Sequence, residues 1–154
     1  MSSDAHSILD RMLCFEVYST EHAFARLYKA LLAPYGLTYP QFLVLVLLWE
    51  QCPQTVNGLG GQLGLQSSTL TPLLKRMEKA GLVVRTRDPE DERRVRVSVT
   101  AAGKALRANV HDIGRCVADA TGMEEAELFD LMRSLRRLRS GLEQSVTSGT
   151  RLTD

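Results

Sequence analysis

Cys14 is the first thiol in the chain, and Tyr18 follows four positions later, on the same face of any helix through both. All four tyrosines of the chain, Tyr18, Tyr28, Tyr35 and Tyr39, fall within the 25 residues after Cys14. A phenol that donates a hydrogen bond to sulfur stabilises the thiolate, the form that attacks electrophiles. The residues alone leave two readings open: a structural thiol buried among aromatic side chains, or a reactive thiol served by the phenols. Cys52 and Cys116 lie far away, the cysteine count of three is odd, and no CxxC or Cys/His cluster has metal-ligand spacing. A disulfide framework and a metal site are therefore not expected, and Cys52, beside Pro53, reads as a bystander.

A second set of groups is suited to a polyanion. Ser67, Ser68, Thr69 and Thr71 crowd hydroxyls at the start of a helical pattern. Leu70, Leu73, Leu74 and Met77 mark its inward face, with Lys75 and Arg76 outward. Hydroxyls and free amides at a helix N-terminus bond phosphates and base edges. Arg93 and Arg94 follow in a charged turn, where arginine can enter a minor groove and read its shape. Asp91 is expected to hold Arg93 in a fixed pose by pairing with it, while Glu90 and Glu92 read as solvated.

The charge distribution agrees. Residues 1–66 carry 3 basic and 5 acidic side chains, residues 67–107 carry 10 and 5, and residues 108–154 carry 6 and 8. A basic middle between acidic flanks is expected where one sub-region meets nucleic acid. An amphipathic helix with a solvated basic face would have the same composition. The charged hairpin that follows at a fixed distance is what favours duplex DNA.

Other patterns carry no chemistry. Asn57, Gly58, Leu59, Gly60, Gly61, Gln62, Leu63 and Gly64 form a glycine-rich stretch, but no Gly-Lys-Ser/Thr follows and no strand–helix–strand unit contains it. Its glycines are expected to permit close packing and a tight turn. His6, His22 and His111 are isolated. No Ser/His/Asp set and no catalytic carboxylate pair is visible, so an enzyme is not expected.

The elements that must position these groups can be read from caps and periodicity. One long helix is expected from Ser7 to about Ala33, stopped by Pro34 and Gly36. A second starts after Thr38, with Pro40 in its first turn, and ends near Glu50. Thr55 caps a short helix from Val56 to Leu63, closed by Gly64. Ser67 or Ser68 caps the next, which reaches Ala80, with Pro72 in about its first turn and Gly81 at the C′ position. Two short helices joined by a tight turn form a helix-turn-helix. Strand-like runs at 82–86 and 94–99 flank the charged connection 87–93. Thr100 then caps a fifth long helix, and a sixth runs from about Glu124 to Leu142.

The expected fold is mainly α with a small β-hairpin wing: a winged helix-turn-helix at about 37–100, in a single domain spanning 1–154. The helices at about 5–36 and 101–145 carry apolar stripes too long to bury against so small a module, which points to a homodimer. The longest apolar run, Phe42 to Trp49, is far short of the ~20 residues that cross a bilayer. The first twelve residues have neither a basic n-region nor an apolar h-region. A cytoplasmic protein with no membrane partner is expected.

Taken together, the chain resembles the MarR family of winged-helix regulators, and within it the organic-hydroperoxide-sensing, OhrR-type branch. The resemblance covers nearly the whole chain. It rests on Leu13, Cys14 and Phe15 with Tyr18; on residues 37–42 (LTYPQF) and 48–50 (LWE); on residues 68–78 (STLTPLLKRME); and on Asp91, Glu92 and Arg93. It implies a DNA-bound repressor dimer, without cofactor, on near-palindromic double-stranded operator DNA. It further implies that Cys14 is the peroxidatic sensor, that Tyr28 and Tyr39 bond to it across the dimer with Tyr18 in support, and that an organic hydroperoxide is the signal. Its two-cysteine members carry a resolving cysteine just before an Ala-Thr-Gly. Here Asp119 precedes Ala120, Thr121 and Gly122, and Cys116 lies three residues earlier. Cys116 of the other subunit is the possible resolving thiol. The alternative within the family is a repressor released by a small aromatic ligand, with Cys14 not redox-active. A thiol peroxidase would need no reading helix or basic wing, and a structural dimerisation module would need no hydroxyls and arginines at the reading positions.

Overall fold

In the computed structural model, residues 8–148 are described. The expected helix start at Ser7 and the isolated His6 lie outside them. The chain divides into two units, one through His111 and one from Asp112.

The first unit begins with a 3₁₀ turn, Ile8–Arg11, and then α1, Leu13–Leu32. The single helix expected here is thus broken at Met12, whose extended backbone (φ −98°, ψ 110°) cannot continue a helical turn. A second 3₁₀ turn, Ala33–Tyr35, carries Pro34 and ends at Gly36 in the left-handed region (φ 64°). α2, Tyr39–Glu50, opens with a capping box: Thr38 and Gln41 satisfy each other's backbone N–H. α3, Val56–Leu63, is capped by the Thr55 hydroxyl and closed by Gly64.

α4, Ser67–Lys79, is capped one residue earlier than expected. Gln66, not a serine, is the N-cap; it gives no side-chain bond, and its carbonyl accepts from Thr69 and Leu70. Pro72 therefore falls in the second turn, and the Ser68 carbonyl loses its i+4 donor. At the far end, Ala80 and Gly81 (φ 74°) turn the chain while the Leu82 N–H bonds the Met77 carbonyl, a Schellman closure.

Strands β2, Val83–Arg87, and β3, Val95–Val99, form the expected hairpin, each starting one residue later than the sequence pattern suggested. A two-residue strand, β1, Gln54–Thr55, adds a third member, so the antiparallel order is β1–β3–β2. β1 pairs Gln54 with Val97, and β2 pairs Val83 with Val99 and Arg85 with Val97. Leu32, Leu45, Leu48, Leu59, Leu70, Leu74, Met77, Val83 and Val97 fill the core beneath them. Gln54 is buried among them with its amide satisfied: it donates to the Leu47 and Gln51 carbonyls and accepts from Gln62.

α5, Ala101–Val110, is capped by Thr100 as expected. A Cβ at Gly103 would collide with the Leu82 carbonyl oxygen, so only glycine allows this contact. Trp49 Nε1 donates to the Gly103 carbonyl (3.0 Å) and the Tyr35 hydroxyl to the Asn109 carbonyl (2.9 Å), fixing α5 to the rest of the unit.

The fifth long helix of the sequence reading is in fact two. α5 stops at Val110, and α6, Ile113–Thr121, follows in the second unit. Gly122 (φ 66°) then closes α6, and α7, Glu125–Thr147, starts from a Glu124/Glu127 capping box. α7 runs five residues past the expected end and buries none of its 23 residues within the chain.

Candidate nucleic-acid interface and thiol site

On α4 the residues expected to meet DNA lie at the surface and the apolar ones beneath. Leu70, Leu73, Leu74 and Met77 are buried, while Ser67, Ser68, Thr69, Lys75 and Arg76 are exposed and Thr71 is half-buried. Because Gln66 is the cap, no side-chain hydrogen bond among the described residues engages the Ser67, Ser68 or Thr69 hydroxyls. They remain free to meet phosphates or base edges beside the free amides of the first turn.

The wing is more ordered than a solvated turn. Asp91 pairs with Arg94 (Nε to Oδ2, 3.3 Å), not with Arg93 as expected; Arg93 gives it only a backbone N–H (3.1 Å). The Arg94 N–H bonds the Asp91 carbonyl, which closes the turn and brings the side chain three residues on within reach. Arg93 is left exposed, its guanidinium unpaired among the described residues.

Two acids that sequence reasoning missed hold this surface in place. Asp88 is buried at the wing base, where it accepts from the Glu90 N–H (2.9 Å) and Arg96 Nε (2.8 Å). The Glu90 N–H holds its carboxyl below the usual value of 3.8 against the opposing effect of burial, helped by Arg96 and by the charge of Arg94. Glu78 at the end of α4 accepts from the Arg85 backbone N–H and from its Nε and Nη2. Those bonds hold Glu78 below its usual 4.5. Both acids carry a signal: Asp before Pro in a turn accepts from the N–H two residues on, and a carboxylate in a helix's last turn opposes the dipole unless a cation answers it. Arg85 and Arg96 are thus spent inside the protein, so the basic segment offers fewer free cations than its composition suggests.

Cys14 is exposed in the first turn of α1. The buried structural reading does not hold within this chain. Tyr18 is exposed one turn on, and the His22 ring packs on it at 4.2 Å. The Tyr28 and Tyr39 rings lie tilted against each other, centroids 4.2 Å apart, and burial, then the charge of Tyr39 and a hydrogen bond to it, push the Tyr28 phenol up, so it stays an O–H donor. These two do not reach Cys14 of their own chain. Fourteen residues of continuous helix separate Cys14 from Tyr28, a rise of about 21 Å. Tyr35, the fourth tyrosine, is occupied with Asn109. Cys116 is exposed on α6 and Cys52 is exposed after α2. Among the described residues no group of three or more His, Cys, Asp or Glu side chains could hold a metal ion.

The fold has counterparts among known proteins. The profile described as "MarR family" matches residues 37–95. The HTH-type transcriptional regulator TtmR of Methylorubrum extorquens is 47% identical over 131 residues, 83% of this chain and 67% of that protein. The organic hydroperoxide resistance transcriptional regulator of Bacillus subtilis is 41% identical over 139 residues, 90% of this chain and 95% of that protein.

The chain belongs to the MarR family.

Among solved structures, reduced AbfR bound to DNA superposes with a TM-score of 0.72 at 36% identity, covering 84% of this chain and 91% of that one. Disulfide-formed AbfR gives 0.62 at 38%, covering 82% and 88%; AbfR is a protein of Staphylococcus epidermidis. This MarR-family chain is accordingly a DNA-binding transcriptional regulator with a winged helix, and its named relatives are regulators, not enzymes. No single helix among its described residues is long and apolar enough to cross a membrane.

Proposed function

We propose that the protein is a homodimeric repressor of the OhrR type, which binds near-palindromic operator DNA and releases it when Cys14 is oxidised by an organic hydroperoxide. The observation that carries this reading is the placement of Cys14. The thiol is exposed at the start of α1, and the Tyr28–Tyr39 donor pair stands about 21 Å further along the same helix. Such a pair can serve this thiol only from a second copy. The apolar face of α7, with Leu131, Leu135 and Leu142 exposed, and the exposed Leu13 and Val17 of α1 supply surface for that copy.

The chemistry follows from a thiolate beside phenol donors. Cys14 attacks the O–O bond; an S–O bond forms, the O–O bond breaks, and the alkoxide leaves as the alcohol after taking a proton. The resulting sulfenic acid condenses with a second thiol, of which Cys116 of the other protomer is the candidate, with loss of water. The new bond moves helices attached to the reading heads and takes the two α4 helices out of step with the operator. The relative named for organic hydroperoxide resistance, and the reduced DNA-bound and disulfide forms of AbfR, support this order of events. The test is operator binding by purified protein, reduced and then treated with cumene hydroperoxide. Binding when reduced and release on treatment is the expected result; unchanged binding by protein with oxidised Cys14 would overturn it.

A further inference from the structure

α4 and the wing are joined through one short turn, Ala80 to Leu82, yet both must meet the same duplex. Three bonds cross that turn from a single carboxylate. The Arg85 backbone N–H donates to Glu78 Oε1 at 3.0 Å, and Arg85 Nε and Nη2 donate to Oε2 at 3.0 and 2.8 Å. β2 is an edge strand, with β3 on its other side. The Arg85 N–H points off the free edge, where an unpaired donor would otherwise face water or another chain. Glu78 therefore closes the strand edge and fixes the guanidinium with one group.

The position of this brace matters for reading DNA. Lys75 and Arg76 lie within one turn of Glu78 on α4, and Arg87 lies two residues from Arg85 on the same side of β2; all three are exposed. The brace thus sits between the cations of the reading helix and those of the wing. Arg85 is not available as a phosphate contact, since two of its nitrogens are committed and its side chain is only 23% exposed.

The geometry points to Glu78 as a positioning residue for DNA recognition: through Arg85 it sets the wing relative to α4, so that groove contacts by both are made together. This rests on the DNA-binding reading and adds to it an acid that touches no DNA yet determines specificity. An acid beside a polyanion repels it, so its removal strengthens sequence-independent binding. If Glu78 acts by position, its removal must weaken specific binding at the same time. The two effects have opposite sign, which separates positioning from simple electrostatics or fold support.

The experiment uses the full chain and two duplexes: one selected from a random pool by the wild-type protein, and one of poly(dI-dC). Wild type, Glu78→Ala and Glu78→Gln are titrated on both, well below the thermal midpoint of each variant. For Glu78→Ala, affinity for the selected duplex is expected to fall on the order of tenfold, the weight of a charge-assisted hydrogen-bond set, while affinity for poly(dI-dC) holds or rises. Glu78→Gln, which keeps length and an acceptor for the Arg85 N–H, should fall between. Parallel gains on both duplexes, or a lowered thermal midpoint with an unchanged ratio of the two affinities, would overturn the positioning role. Failure of the wild type to select any duplex would instead overturn the DNA-binding reading itself.

Discussion

Arg93 stands at the wing tip with no acid opposite its guanidinium, while its neighbour Arg94 is held by Asp91. The free side chain is the one we propose enters a groove. Arg93→Ala is expected to weaken operator binding by about tenfold, the typical weight of one lost specific contact. Arg94→Ala should loosen the turn and act less directly. Filter-binding titrations of both variants at fixed salt check this; equal losses would mean that the turn, not the free guanidinium, matters. Cys14→Ser makes a sharper prediction. The hydroxyl preserves size at an exposed position, so DNA binding should match wild type, and cumene hydroperoxide should no longer release it. Release of the serine variant by peroxide would place the sensor elsewhere. At this scale the sequence was informative where a residue's type already fixes its chemistry: the hydroxyls of α4, the outward Lys75 and Arg76, the thiol. It was silent where the role comes from a partner distant in sequence. In the run 87–93 only Pro89 sets buried Asp88 apart from exposed Glu90 and Glu92, and the choice of Arg94 by Asp91 depends on the turn that the Arg94 N–H closes.

Elements were legible wherever a cap or a glycine marks an end. Thr38, Thr55 and Thr100 each start the helix expected of them, and Gly64 and Gly81 each take the left-handed backbone expected at a helix end. Breaks without such marks were missed: Met12, and the interruption between Val110 and Ile113, carry no proline or glycine. β1 was missed because two residues have no periodicity; Gln54 and Thr55 join the sheet by pairing with Val97 and Arg96 on a distant strand. The wing, as an element, depends on Asp88. Its carboxyl is held below 3.8 in the folded state, so the unfolded chain binds the proton more readily. Asp88 therefore stabilises the fold at all pH values above its unfolded pKa, and that contribution is lost as pH falls through the lower, folded value. Denaturant midpoints should be insensitive to this group from about pH 7 to about pH 5 and decline below about pH 4. Asp88→Asn should lower the midpoint at neutral pH, because Arg96 loses its counter-charge, and should flatten the acid decline. An acid limb as steep in the variant as in wild type would assign that decline to other carboxylates, Glu78 first among them.

The whole molecule raises the question of a second copy. α7 is 23 residues long and buries none of them within the chain, and Val146 near its end is 84% exposed. If Tyr28 and Tyr39 serve Cys14 as proposed, the rise of about 21 Å along α1 between Cys14 and Tyr28 requires a second copy, and the apolar face of α7 is surface that such a copy could cover. The sequence made the apolar stripes visible, and the single helix expected through Cys14 and Tyr28 already sets those two about 21 Å apart; what it could not supply is the Tyr28–Tyr39 ring contact, which joins α1 to α2. If the proposed switch operates, oxidation should create a covalent link between protomers from Cys14 to Cys116. Both thiols are exposed on the single chain. A disulfide requires Cα atoms within about 7 Å, and any approach from a greater separation must carry α1 of one protomer toward α6 of the other. The shift of Cys116 by three residues from the place before Ala120 keeps it within one turn of α6, on roughly the same face. Non-reducing electrophoresis after cumene hydroperoxide should therefore give a band at twice the monomer mass that dithiothreitol removes. The band should vanish in Cys14→Ser and in Cys116→Ser and persist in Cys52→Ser. Persistence in Cys116→Ser with loss in Cys52→Ser would make Cys52 the resolving thiol. Release of DNA with no band in any lane would mean that the sulfenic acid is capped or overoxidised, and that the reading heads move without a bond between protomers.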